Sequence, residues 1–149
     1  MPQPVMTYRV EAHTVEPGVS EVQAKEQSFR FDSGAEQSLT LMGPAELLCA
    51  AFAACVLKNL SRFSDILPFR YDHASIDVSA ERDGTPPRIV RIQWVLHIRT
   101  DEPERRVELL QLNIQKYGTI YNTLAATAEV SGKIVVTGST GDPRVAERR

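Results

Sequence analysis

Cysteine is scarce in this sequence, because Cys49 and Cys55 are the only two among 149 residues. They stand six residues apart in a stretch predicted to be helical, so their Cα atoms would be about 9 Å apart at ~1.5 Å rise per residue. A disulfide tolerates no more than about 7 Å, so the two thiols are not expected to bond to each other. A zinc site needs around four ligands, and the histidines are scattered without ligand spacing: His13, His73 and His97. We therefore expect neither a metal nor another cofactor.

The sequence also lacks an excess of charge of one sign and a recognisable signal or membrane segment. Its 17 basic and 19 acidic residues give a net charge of −2, and no basic cluster occurs beyond a few terminal arginines. Nucleic acid is therefore not an expected partner. The opening MPQPVMTYRV lacks the charged-then-apolar order of a secretion signal, and no apolar run approaches the ~18 residues of a membrane span. We expect a cytoplasmic protein with no membrane contact.

What is present is the composition of a globular protein, with 42% hydrophobic and 24% charged residues. The length suits one domain over residues 1–149, with a core over 7–137 and a flexible tail over 138–149. Alternating apolar residues predict strands over 7–15, 21–31, 74–81, 92–98 and 129–138. Helical patterns are seen from 44 to about 63 and over 101–118, with a further helical piece over 119–127. The resulting order, β-β-α-β-β-α-β, is typical of an α+β fold.

Two periodic patterns indicate which faces are buried. The strand over 92–98 places its larger apolar residues on one side: Ile92, Trp94, Leu96 and Ile98. The helix over 101–118 has an apolar stripe: Val107, Leu110, Ile114 and Tyr117. We expect one face of the sheet to pack against the alanine-rich first helix.

The first helix, GPAELLCAAFAACVLKNL, is apolar or small around most of its circumference between Leu47 and Leu57. Pro44 suits a first helical position, since its missing N–H would be unpaired there in any case. A helix without a polar face is expected to be central and buried. Because one small domain offers too few partners to cover every side, we also predict a homodimer. In this setting Cys55 is either a small hydrophobic core residue or a nucleophile.

The stretch GPAELLCAAFAACVLKNLSRF resembles a helix of the OsmC/Ohr family, in which a cysteine follows the first proline by about eleven residues, as Cys55 follows Pro44. A later stretch, QKYGTIYNTLAATAEVSGKIVV, is similar to the second helix and final strand of that family. The resemblance covers residues 7 to 137. It implies a two-layer α+β fold, with antiparallel sheets around two long central helices, in an interlocked homodimer.

The resemblance also implies an activity, the reduction of organic hydroperoxides. In the family a thiolate attacks the peroxide, becomes a sulfenic acid and condenses with a second cysteine to a disulfide, which a dithiol reductant reopens. Cys55 matches the peroxidatic cysteine and is the candidate catalytic residue. Cys49 has no counterpart in the family motif and is interpreted as a packing residue.

This sequence departs from the family pattern at three places. The resolving cysteine of the family corresponds to Gly118. The acidic residue that many hydroperoxide resistance proteins carry directly after the proline is Ala45 here, with Glu46 one place later. Those proteins also use an arginine from the N-terminal strands, whereas residues 10–29 contain no arginine and only Lys25 as a basic residue apart from histidine.

Two functions therefore stand as alternatives. The first is a thiol-dependent hydroperoxide reductase that works through Cys55 alone and takes an external thiol as its reductant. The second is a non-catalytic dimer that binds a lipid-like or other small apolar ligand on the same fold. Peroxide consumption in the presence of several reductants separates the two.

Overall fold

The computed structural model describes residues 2–138 and 143–147. Contacts divide the chain between residues 47 and 48 into two compact units, called here the N-terminal and C-terminal units. The α+β class predicted from the sequence is confirmed, with strands and helices in separate runs along the chain. A single domain over the whole chain stays a prediction.

The N-terminal unit contains a three-stranded antiparallel sheet in the order β1-β2-β3: β1 is Glu11–Glu16, β2 is Val19–Ala24 and β3 is Gln27–Asp32. The prediction of one strand over 21–31 was wrong, because the chain reverses between β2 and β3. Lys25 adopts a φ of 55° in that turn. Positive φ is uncommon for lysine, and no glycine, proline or asparagine marks the turn in the sequence.

The loop after β3 is held by the Asp32 carboxylate, which is buried. Its two oxygens accept hydrogen bonds from the backbone N–H groups of Gly34 and Ser38, both at 2.9 Å. The Ser38 and Gly34 hydrogen bonds lower the pKa of Asp32 below its usual value, because they favour the charged form. The Asp32 backbone N–H also donates to the Met42 carbonyl at 2.8 Å, which closes the loop.

The C-terminal unit takes in most of α1 and all the later elements: α1 is Pro44–Ile66, β4 is His73–Asp83, β5 is Arg88–Arg99, α2 is Glu104–Tyr117, α3 is Thr119–Ala125, β6 is Glu129–Thr137 and β7 is Pro143–Glu147. Its sheet has the order β4-β5-β6-β7. The β5–β6 pair is parallel and the other two are antiparallel. The expectation of purely antiparallel sheets is therefore corrected, and the reason is the connection through α2 and α3, a crossover of the kind that parallel strands need.

Part of the expected tail is ordered as β7, which pairs with β6. The rest of that prediction, at residues 139–142 and 148–149, lies outside the described residues.

The core of the C-terminal unit is one buried cluster with members from α1, β5, α2, α3 and β6. The predicted inner face of β5 is confirmed, since all four residues are at most 2% exposed: Ile92, Trp94, Leu96 and Ile98. In α2 the stripe is confirmed at Val107, Leu110 and Ile114. The prediction was wrong at Tyr117, which is 54% exposed. The polar Gln111, which was not predicted to be buried, is fully buried.

Helix α1 buries only one stripe within the described chain: Phe52, Val56, Asn59, Leu60 and Phe63. The prediction that it is covered on all sides is thus not met by a single chain, since Ala50, Ala51 and Ala54 are exposed. Among the described residues, α1 is also the one helix long and apolar enough on average to cross a membrane. The search for an unbroken apolar run in the sequence did not find this helix, because the criterion it meets is a mean hydropathy over 18 residues. The core helix of a soluble protein can meet that criterion as well.

Candidate functional site

Cys55 lies at the start of the fourth turn of α1, between the buried residues Phe52 and Val56, and is partly exposed. Cys49 lies on the same helix and is also partly exposed. Neither cysteine is in a disulfide, as the helical spacing predicted. A thiol that is close to the core yet open on one side can meet a small substrate.

The Cys55 sulfur has a hydrogen-bond donor in Asn59, one helical turn further on. Asn59 Nδ2 donates a hydrogen bond to Cys55 Sγ at 3.8 Å, a distance suited to sulfur as the acceptor. The Asn59 side chain is buried, with 8% of its surface exposed. Sequence reasoning missed Asn59, although the i,i+4 spacing from Cys55 places the two side chains on one helix face.

Gly118 separates α2 from α3 and lies against the same asparagine. A Cβ placed on Gly118 would be 2.9 Å from Asn59 Nδ2, 2.8 Å from the Tyr121 Cβ and 3.1 Å from the Ile114 carbonyl oxygen. Its backbone has φ −74° and ψ 112°, which any residue can adopt. Position 118 therefore favours glycine because there is no room for a side chain, not because of its backbone angles. The Asn59 carboxamide contacts both the Cys55 sulfur and the place where a side chain at 118 would begin.

An aromatic wall, formed by Phe52, Tyr121 and Trp94, stands beside this group. The Phe52 and Tyr121 ring centroids are 5.3 Å apart, and Tyr121 meets Trp94 edge to face at 6.4 Å. Burial raises the pKa of Tyr121 above its usual value of 10.0, and the polar side chains of Trp94 and Gln115 partly oppose that shift. The Trp94 N–H is thus close enough to influence Tyr121, but it meets no acceptor at hydrogen-bonding geometry within the described part of the chain.

Behind the wall, the Trp94 indole lies directly over Gly132, its register partner on β6. Gln111 Nε2 donates to the Gly132 carbonyl at 3.4 Å, while Gln111 Oε1 is buried without a hydrogen-bond partner among the described residues. These contacts fix the tryptophan ring and, through Tyr121, the α3 side of the candidate site.

The other residues considered from the sequence lie at separate places along the chain. Glu46 is exposed in the first turn of α1, and Lys25 lies in the β2–β3 turn. The histidines lie on separate strands: His13, His73 and His97. Within residues 2–138 and 143–147, no three His, Cys, Asp or Glu side chains gather as metal ligands would.

A surface cleft of about 740 Å³ opens elsewhere in the C-terminal unit, between residues 69–72 and 99–102, and Cys55 does not line it. Sequence reasoning did not anticipate this cleft. Glu102, at its edge, accepts a hydrogen bond from the Arg70 backbone N–H at 2.9 Å and pairs with the Arg106 guanidinium at 3.1 Å. These contacts join the two loops that form the cleft.

Comparison with solved structures places the fold among OsmC-like proteins. An OsmC-like protein of Mycoplasma pneumoniae has a TM-score of 0.79 at 15% identity, covering 88% of this chain and 97% of its own. An organic hydroperoxide resistance protein of Legionella pneumophila has a TM-score of 0.68 at 15% identity, covering 89% and 98%. The organic hydroperoxide resistance protein OhrB of Bacillus subtilis has a TM-score of 0.64 at 17% identity, covering 87% and 98%. At these identities the likeness establishes the fold alone.

Comparison with curated proteins found no matching relative. The family model for OsmC-like protein, in contrast, matches residues 35–133, about two thirds of the sequence. The matched segment includes α1 with Cys55, the crossover with Gly118 and the strands that form the core. The chain therefore belongs to the OsmC-like protein family.

Proposed function

We propose that this protein reduces organic hydroperoxides through Cys55 and uses an external thiol to complete the cycle. The observation that carries the proposal is the position of Cys55, a partly exposed residue in the family's helix motif whose sulfur accepts a hydrogen bond from Asn59. The names of the Legionella pneumophila and Bacillus subtilis structures add that proteins of this fold act in organic hydroperoxide resistance.

In the proposed first step, the Cys55 thiolate attacks the terminal peroxide oxygen. An S–O bond forms as the O–O bond breaks, so sulfur is oxidised by two electrons, and the alkoxide that leaves takes up a proton to become the alcohol. Cys55 is left as a sulfenic acid. The reaction needs the thiolate form of the cysteine, since the thiol is a poor nucleophile.

In the proposed second step, a low-molecular-weight thiol attacks the sulfenic sulfur, so that water leaves and a mixed disulfide forms. A second thiol then releases Cys55 and carries away the oxidised pair as its own disulfide. The chain has no thiol of its own for this role, because Gly118 stands at the resolving position and Cys49 lies too far along the same helix.

We further propose that the functional form is a homodimer in the cytoplasm. Only one stripe of α1 is buried within the described chain, although the helix carries alanines on its other faces. A second copy would cover the remaining faces, as the family's interlocked arrangement implies. Stable dimers bury a large apolar surface such as these faces of α1, whereas transient contacts bury little.

The test is the rate at which purified protein consumes cumene hydroperoxide, with monothiol and dithiol reductants compared. We expect turnover in the wild type and in Cys49→Ser, and a fall to the background rate in Cys55→Ser. Wild-type rates equal to those of Cys55→Ser with every reductant would contradict the proposal. That result would favour the alternative, a non-catalytic dimer that binds a small apolar or lipid-like ligand.

A second measurement follows the oxidised protein by intact mass and thiol counting after one equivalent of peroxide. We expect Cys55 as a sulfenic acid, an over-oxidised acid or an adduct with an added small thiol. A disulfide between Cys49 and Cys55 would contradict both the proposed cycle and the helical geometry.

A further inference from the structure

We propose that Asn59 is a positioning residue for Cys55, and that its carboxamide fills the place beside the sulfur that a side chain at 118 would otherwise approach. The inference deepens the proposed function and rests on it for its chemical meaning. It assigns a role to a residue that the family motif does not include.

The first observation is the hydrogen bond itself. Asn59 Nδ2 donates to Cys55 Sγ at 3.8 Å across one turn of α1. A carboxamide that is 8% exposed needs partners for its polar atoms, because burial without a hydrogen bond is costly. The N–H donor points to an acceptor, and a thiolate accepts more strongly than a thiol because the charge strengthens the bond. Asn59 therefore favours the reactive form of Cys55.

The second observation is the space around Gly118. A Cβ at this position would lie 2.9 Å from Asn59 Nδ2, closer than side chains normally approach. The asparagine and the glycine are thus complementary, since the absence of a side chain at 118 leaves room for the carboxamide. The neighbouring Tyr121 Cβ and Ile114 carbonyl, at 2.8 Å and 3.1 Å from the same point, come from α3 and α2 and close the space from the crossover side.

Together these contacts give the single-thiol cycle a physical basis. An amide donor, which cannot form a disulfide, lies against both the Cys55 sulfur and the junction of α2 and α3 at Gly118. Where a second cysteine would condense with the sulfenic acid to a disulfide, this chain has a hydrogen bond that holds the Cys55 side chain in place. The oxidised sulfur then has no internal thiol partner and must meet an external one.

The test measures how the alkylation rate of Cys55 depends on pH, using iodoacetamide and protein that carries Cys49→Ser, so that only Cys55 is labelled. For Asn59→Ala we expect the midpoint of the pH profile to move upward and the rate at neutral pH to fall about two- to tenfold, the effect of losing one hydrogen bond. The plateau rate at high pH should stay unchanged, because the fully formed thiolate is equally accessible. Loss of packing alone would change accessibility and hence the plateau, not the midpoint.

Two further variants complete the design. Asn59→Asp keeps the shape of the side chain and replaces the donor with a negative charge, so the midpoint should rise further than in Asn59→Ala. Ser64→Ala removes a different side-chain hydrogen bond on the same helix, from Ser64 Oγ to the Leu60 carbonyl, and should leave the profile unchanged. If Asn59→Ala does not fold, the uncharged Asn59→Leu, which has a similar volume and no donor, supplies the decisive profile.

The inference is overturned if the profiles of folded Asn59 variants coincide with that of the parent protein, or if Ser64→Ala shifts the profile equally. The labelling assay needs no peroxide, so its outcome is independent of the proposed activity. A shifted profile in a protein that consumes no hydroperoxide would refute the proposed function and leave the role of Asn59 standing. Turnover with an unshifted profile would do the reverse.

Discussion

The contact between Trp94 and Gly132 makes a quantitative prediction about stability. A Cβ on Gly132 would lie 2.2 Å from Cδ2 and Cε2 of the indole and 2.4 Å from its Nε1. Carbon atoms in contact normally lie about 3.5–4.0 Å apart, so the ring or the strand would have to move by more than about 1 Å. Trp94 is only 1% exposed, so the ring is surrounded by core side chains and has no free space into which to move.

The expected cost of Gly132→Ala follows from this overlap. Overpacking of a core costs about 1–3 kcal/mol, occasionally more, and a rigid indole is an extreme case. Replacing a strand glycine by alanine offsets about 0.5–1 kcal/mol of that through backbone entropy. We therefore expect a net loss of about 2–3 kcal/mol in the free energy of unfolding, which is about 5–10 °C in Tm for a chain of this size.

The assay is urea unfolding followed by the emission of Trp94, the one tryptophan in the sequence. Gly43→Ala is the control, because a Cβ there would lie 3.4 Å and 3.8 Å from two movable carboxylate oxygens, and its stability should change by less than about 0.5 kcal/mol. Variants with Trp94→Leu have no tryptophan, so their unfolding is followed by far-ultraviolet circular dichroism. By that measurement, Trp94→Leu combined with Gly132→Ala should lose less stability than the two single variants added together. A Gly132→Ala protein with the wild-type urea midpoint and emission would refute the reasoning.

Three other predictions concern assembly and titration. Sedimentation at micromolar concentration should give a homodimer, and a folded monomer would contradict that. Burial raises the pKa of Tyr121, so this tyrosine should ionise above pH 10.0 in an ultraviolet titration. The protonated tyrosine stabilises the fold below pH 10.0, and this contribution is lost as the pH rises through the folded pKa. Tyr121→Phe should lack this dependence on pH. Asp32, whose pKa is lowered, stabilises its loop above pH 3.8 and loses this effect only as the pH falls through its lower folded value. The amides of Gly34 and Ser38 should therefore still exchange more slowly at about pH 4 than unprotected amides do at that pH, and this protection should be lost in Asp32→Asn.

Local periodicity predicted the parts of the fold that depend on neighbours in the sequence. The inner face of β5 and most of the α2 stripe follow from repeats of two and about 3.6 residues, which burial imposes directly. Tyr117 was wrong because α2 ends at that residue. The chain then restarts as α3, and Tyr121 takes the buried aromatic position beside Phe52.

Features that depend on distant parts of the chain were beyond such reasoning. The parallel pairing of β5 with β6 is decided by the path of the crossover, not by either strand alone. The β2–β3 turn uses Lys25 at positive φ, a conformation that the usual turn residues would have signalled. Gln111 is buried because it reaches the Gly132 carbonyl, a partner that the α2 sequence does not reveal.

In the candidate site too, the sequence predicted what a local motif contains and missed what depends on contacts between distant segments. Cys55 was found because the helix motif contains it, whereas Asn59 acquires meaning only when its contacts with the sulfur and with Gly118 are seen together. The sequence left open whether Gly118 was needed for a positive φ. Its φ of −74° answers that question, and crowding by Tyr121 and Ile114 is the reason why a larger residue, including an introduced cysteine, would be strained there.

The crossover between β5 and β6 also has a consequence for the newly made chain. Cys55 is synthesised 63 residues before Gly118 (118 − 55), and the α2–α3 segment that adjoins Asn59 does not exist until then. At about 5–20 residues per second, the interval is roughly 3–13 s. The parallel β6 strand comes later still, and such non-local pairing forms slowly. An oxidant present during translation therefore meets this thiol before the α2–α3 segment lies beside Asn59, so the single-thiol arrangement around Cys55 is completed only after most of the chain has been made.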